Sequence, residues 1–185
     1  MKQALLVMDM QVGIVERLGD PGPLLERTTR AIAAARAAGL PVVYVRVAFR
    51  DGYPEVAARN RTFGALAAAG GFAEGDAATQ VHPDVAPQAG DVVVVKRRVS
   101  AFTGSDLAVV LSAAGAESLV LTGISTSGVV LSTLREAADR DFDLVVLADC
   151  CGDADPEVHR VLTEKVFPRQ AEVLSVADWA ARLSR

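Results

Sequence analysis

Six short apolar runs, separated by stretches of helical periodicity, limit what this chain can fold into. They cover residues 4–8, 41–47, 91–95, 118–121, 144–148 and 171–176. Each has the length of a strand and most carry β-branched residues, as strands covered by helices on both faces favour. Between the first two, Leu24, Leu25, Thr28, Ala31, Ile32 and Ala35 recur at helical spacing, with Gly39 as a stop signal and Pro41 beyond it. Leu107, Val110, Leu111 and Ala114, closed by Gly115, repeat the device before the fourth run. Residues 157–166 and 176–181 supply two further helical stretches. The pattern predicts an α/β, three-layer Rossmann-like fold, with a six-stranded, mainly parallel sheet flanked by helices.

One domain over residues 1–185 is the simplest division, because no repeat or low-complexity linker interrupts the chain and 51% apolar residues suffice for a sizeable core. The segment 49–81 departs from the pattern. It is rich in Gly and Ala, carries Phe49, Tyr53, Phe63 and Phe72, and has weak periodicity. It reads as a loop or short-helix excursion over the sheet's C-terminal edge.

A formal net charge of −4, with acids and bases interspersed, provides no basic block to track a phosphate backbone, so nucleic acid is not an expected partner. Only five apolar residues lie between Gln3 and Asp9, too few for a signal peptide or a membrane span. The expectation is a cytoplasmic protein without a membrane partner. Cys150 and Cys151 are adjacent, which disfavours a mutual disulfide and offers no zinc spacing. They read as reduced thiols at a strand end.

In an open parallel sheet the ligand sits outside the carboxyl ends of the strands. Asp9 ends the first run, Lys96 ends the third, and the turn from Gly123 to Val129 leaves the fourth. These three segments should converge on one edge. Asp9 follows consecutive apolar residues, so its charge is disfavoured unless a cation lies near; Lys96 is the candidate cation, and strand alternation sends Arg97 to the other side. The bland alternatives are a turn-forming aspartate and a solvated lysine. Ser125, Thr126 and Ser127 either cap the helix that carries Val130, Thr133, Leu134 and Ala137, or offer a hydroxyl nucleophile with Asp9 as base.

Three segments together resemble the signature regions of the isochorismatase-like hydrolases, also called the cysteine hydrolase superfamily. They are Leu5-Leu6-Val7-Met8-Asp9-Met10-Gln11, Val95-Lys96-Arg97-Arg98-Val99-Ser100-Ala101-Phe102, and Gly123-Ile124-Ser125-Thr126-Ser127-Gly128-Val129-Val130. The resemblance implies Asp9 and Lys96 as catalytic residues, with Val129 at the position where most members carry the nucleophilic cysteine. A thiol there would gain from the helix's first turn, which lowers a thiol pKa and steadies an oxyanion; a valine uses neither effect. Isochorismatases proper also lack the cysteine. The resemblance further implies a non-proline cis peptide at Ile124-Ser125, and substrate contacts from Gln11, Phe102, Ile124, Ser125, Ser127 and Gly128. Phe102 reads equally as core. Nicotinamidases within the superfamily carry an aspartate and histidine cluster after the second strand, whereas Arg50-Asp51-Gly52-Tyr53-Pro54 has no histidine, so neither metal nor cofactor is expected.

The implied activity is cysteine-independent hydrolysis of a small-molecule substrate, with Asp9 as general acid/base and Lys96 as charge stabiliser, on an enol ether or a related C–O or C–N bond. Two alternatives stand beside it. One is an amide or ester hydrolase using the Ser125–Ser127 turn, and the other a catalytically silent ligand-binding protein. The resemblance also implies a homodimer or larger homo-oligomer.

Overall fold

The computed structural model describes residues 1–184. Its strands are β1 (Gln3–Met8), β2 (Val42–Val47), β3 (Val92–Lys96), β4 (Ser118–Ile124), β5 (Asp143–Gly152) and β6 (Glu172–Leu174). They form a single sheet in the order β3-β2-β1-β4-β5-β6, and every pairing is parallel. Each of the six apolar runs contains a strand, although the last is a strand only over Glu172–Leu174 and its Val176 begins a helix, and the sheet is wholly parallel where a mainly parallel one was expected. β5 extends well past its apolar run, so Cys150 and Cys151 lie inside the strand, free and buried. Burial pushes the Cys151 thiol up to about 12 and raises Cys150 as well, which leaves both without thiolate character at neutral pH.

The helices are α1 (Val12–Val15), α2 (Gly22–Ala37), α3 (Arg61–Ala69), α4 (Leu107–Ala114), α5 (Leu131–Ala138), α6 (Pro156–Val161) and α7 (Val176–Leu183). α2 buries the six residues whose spacing predicted it, and Gly39 beyond its end has φ 68°, a conformation that costs a glycine little. Gly115 closes α4 in the same way at φ 65°. The stretch 157–166 is split: α6 continues as a π-helical turn over Leu162–Val166. α1, only one turn long, had no periodic signal to announce it.

Period-2 alternation divides the strands between two cores. Ala4, Leu6 and Met8 face a cluster with Leu107, Leu111, Leu134 and Ala137, from α4 and α5. Leu5 and Val7 face the opposite cluster, with Leu24, Ile32, Val176 and Trp179 from α2 and α7. Burying each leucine, isoleucine, valine or methionine among them stabilises the fold by roughly 1.5–3 kcal/mol before entropy is counted. The excursion 49–81 contributes a third cluster of Val47, Phe49, Phe63 and Phe72, laid over the ends of the strands.

Strand order reverses between β1 and β4, and in such sheets the crevice opens at that point, beyond the carboxyl ends. The two strands approach closely there. A Cβ on Gly123 would come within 2.5 Å of the Met8 carbonyl oxygen, and its φ of 153° is one that side chains rarely adopt. Only glycine lets the exit of β4 lie against the exit of β1.

Candidate active site

At the reversal point a cavity of about 370 Å³ opens, lined at its base by Asp9, Lys96, Ser125 and Val129 and elsewhere mostly by apolar side chains. Asp9 ends β1 with φ 54°, a left-handed conformation that aspartate tolerates better than most residues. Lys96 ends β3, and Arg97 beside it turns away to Glu55 and Glu74. Both Asp9 and Lys96 are almost completely buried, at 5% and 2% exposure, and Lys96 Nζ lies 2.8 Å from Asp9 Oδ2.

Two further bonds complete the lysine's surroundings, donated to the Arg98 carbonyl at 3.0 Å and the Val99 carbonyl at 2.9 Å. An ammonium has three hydrogens, so all are engaged within the protein. The other aspartate oxygen, Oδ1, is buried with no hydrogen-bond partner among the described residues. Burial raises the Asp9 pKa above its ordinary value, and the charge and hydrogen bond of Lys96 draw it partly back. A buried carboxyl with one oxygen held and one unused is suited to carrying a proton that it can give away.

The turn after β4 begins with a cis peptide between Ile124 and Ser125 and continues as a π-helical turn, Thr126–Val130, into α5. Ile124, Ser125, Gly128 and Val129 all line the cavity. A Cβ on Gly128 would lie 2.5 Å from Ser125 Oγ, so a larger residue there would push that hydroxyl to another rotamer. Ser127 is exposed, away from the cavity, and its N–H donates to Asp153 Oδ2 at 2.8 Å. The Gly128 N–H donates to the Ser125 carbonyl at 3.1 Å. The turn's positive end is therefore partly occupied by the protein's own carboxylate. Thr126 is wholly buried and shares a 2.8 Å hydrogen bond with His159 of α6, which braces the turn from behind.

Three residues expected at the substrate lie outside the cavity lining: Ser127, exposed as described, and Gln11 and Phe102. Gln11 is fully buried outside that lining: Oε1 accepts the Val47 N–H at 2.8 Å, and Nε2 donates to the carbonyls of Val47 and Thr79, each at 2.9 Å. Its amide ties β2 to the excursion and has no donor left to offer. Phe102 packs against Phe142, with centroids 6.2 Å apart and the Arg140 guanidinium on its face, so the core reading describes it. Conversely, Arg17, Leu18, Leu66, Phe72 and Asp153 line the cavity without having been singled out for it. The aromatics of 49–81 were visible, but only the folded excursion shows which of them face inward. No group of three or more His, Cys, Asp or Glu side chains is gathered as metal ligands among the described residues. No helix among those residues is long and apolar enough to cross a membrane.

Comparison with known proteins bears on the family and the fold. Residues 3–178 match the family model described as "Isochorismatase domain". The chain is 35% identical over 179 residues to the isochorismatase family protein YecD of Escherichia coli O157:H7, covering 95% of this chain and 93% of that protein. It is 34% identical over 181 residues to the ureidoacrylate amidohydrolase RutB of Pseudomonas syringae, covering 83% of this chain and 72% of that protein. Among solved structures, an isochorismatase family protein from Burkholderia thailandensis superposes with a TM-score of 0.86 at 29% identity, covering 100% and 96% of the two chains. N-carbamoylsarcosine amidase from Thermoplasma acidophilum superposes with a TM-score of 0.76 at 29% identity, covering 95% of this chain and 97% of that one.

Proposed function

This chain belongs to the isochorismatase family, and from that premise we propose that it is a small-molecule hydrolase working without a nucleophilic cysteine, with Asp9 as its general acid/base. The observation that carries this reading is the unpartnered Oδ1 of a buried, Lys96-held Asp9 at the base of the cavity, beside a hydrocarbon side chain at position 129.

In this mechanism Asp9 donates its proton to the terminal carbon of an enol ether, water adds to the oxocarbenium ion so formed, and the hemiketal splits. The proton lost by the attacking water returns to Asp9. A C–N bond is cleaved along the same lines, with the proton placed on the leaving nitrogen. Lys96 stabilises the carboxylate that remains when Asp9 gives up its proton. Since its three hydrogens are engaged, that support acts on the acid and not through a direct bond to substrate.

A second reading has one observation in its favour. Ser125 lines the cavity, whereas Ser127 is exposed, so a serine route narrows to Ser125. Its hydroxyl makes no hydrogen bond to Asp9 among the described residues, and a nucleophile requires a base in reach.

Release of pyruvate from isochorismate, and of ammonia from maleamate and N-carbamoylsarcosine, tests both readings. Asp9→Asn should lower turnover by roughly 10²–10⁴, while Ser125→Ala retains it within about threefold. An acyl adduct on Ser125, with loss of activity in the alanine variant, would establish the serine route instead. Full activity in Asp9→Asn would remove the acid, and ligand binding without turnover would leave a silent binding protein.

A further inference from the structure

We infer that Arg17 reads the substrate's charge, so that the site takes a molecule with an apolar body and a single carboxylate remote from the bond that is broken. The inference rests on the proposed hydrolysis at Asp9 and adds the substrate's class.

Arg17 and Lys96 are the two cationic side chains among the described residues lining the cavity. Lys96 has no hydrogen left to donate. The turn before α5, a second place where an anion could settle, already holds the Asp153 carboxylate against the Ser127 N–H. Arg17 differs from both. It makes no ion pair or side-chain hydrogen bond among the described residues, and its guanidinium rests on the face of Phe72, 5.6 Å from the ring centroid. Phe72 belongs to the cavity wall, so the stacking holds the charge at the edge of that wall with its donors free.

Beyond Arg17 the wall is Ile14, Leu18, Val47, Phe63 and Leu66, which favours an apolar body. Arg17 also borders an adjoining hollow of about 380 Å³ that Asp9 does not line, which puts it where the two spaces meet. A guanidinium fork fits a planar carboxylate with two parallel hydrogen bonds. One negative charge suits the site better than two, because Asp153 lines the same cavity.

The test is calorimetric binding of hexanoate and hexan-1-ol to the whole protein at low salt. Neither probe contains a hydrolysable bond, so the result does not depend on whether Asp9 is the acid. Hexanoate should bind about tenfold more tightly than hexan-1-ol, a difference that fits one charge-assisted contact at an exposed site. Arg17→Gln should abolish that preference while leaving hexan-1-ol affinity within about twofold, and Arg17→Lys should restore part of it. Arg17 is exposed, so both variants should fold, and an unchanged melting profile checks this. Equal binding of the two probes to the wild type, a hexanoate preference that survives Arg17→Gln, or failure of both probes to bind would each overturn the inference.

Discussion

Val129 decides what chemistry position 129 can take part in, and its surroundings tell what a sulfur atom would do there. It sits in the turn that starts α5, against the cavity, at 2% exposure. Because Val129 lines the cavity at the start of a helical turn, Val129→Cys should yield a thiol that iodoacetamide reaches through that cavity and alkylates once under native conditions, as followed by intact-protein mass. The wild type should stay unlabelled, since burial raises the pKa of both native cysteines. Labelling of the wild type at the same rate would mean that the strand thiols are accessible. Lys96 lends itself to a stability test. Lys96→Met leaves Asp9 Oδ2 and the Arg98 and Val99 carbonyls without their donor and should lower the denaturant midpoint, most of all at pH values where Asp9 is ionised, because an uncompensated buried charge commonly costs about 3–5 kcal/mol. Lys96 lowers the Asp9 pKa, so in its absence that pKa rises further and the aspartate is neutral over a wider range. The loss should accordingly shrink as the solution is made acidic. Asp9 and Lys96 could be read from the sequence because each ends an apolar run. Gln11 and Phe102 could not be placed from their motifs, because proximity in sequence to a cavity residue does not determine where a side chain points. Gln11 points into a backbone gap and Phe102 into the core.

The strands and the helices that cover them were legible because their burial is periodic. α2 buries the residues that recur three and four apart, and glycines end α2 and α4 as the stop signals indicated. The excursion 49–81 was legible only as an irregular segment, since its contacts are long-range and polar. Glu55 accepts from Arg50 at 2.7 Å and lies 3.4 Å from Arg97, which also pairs with Glu74 and donates to the Ala48 carbonyl. Arg98 adds a bond to the Glu55 carbonyl at 2.7 Å. The excursion that supplies Phe63, Leu66 and Phe72 to the cavity is thus fastened to the exit of β3, the same segment that carries Lys96. Arg97→Ala should loosen this fastening without touching the sheet. The expected outcome is amide hydrogen exchange roughly tenfold faster across 49–81, equivalent to about 1.4 kcal/mol of local stability, with β1 and β4 amides unchanged. Uniform acceleration through the whole chain would show that Arg97 holds the global fold instead.

At the scale of the molecule, the reversal of strand order between β1 and β4 brings an acid, a lysine and a turn from distant parts of the sequence to one cavity. The same burial that makes a proton-bearing Asp9 possible sets a sign for stability. Its folded pKa stands above the unfolded value, so its contribution is whole at pH below the unfolded pKa and is lost as pH climbs through the folded one. Activity that needs the protonated acid should fall through that same upper window. Both consequences, and the hydrolysis proposed for the site, depend on where Asp9 gives up its proton. The ¹³C NMR titration of its side-chain carboxyl in the wild-type protein, assigned by comparison with Asp9→Asn, measures this without a substrate. Ionisation above the range of the protein's exposed aspartates is the expected result; ionisation within or below that range would contradict an acid held protonated by burial beside Lys96.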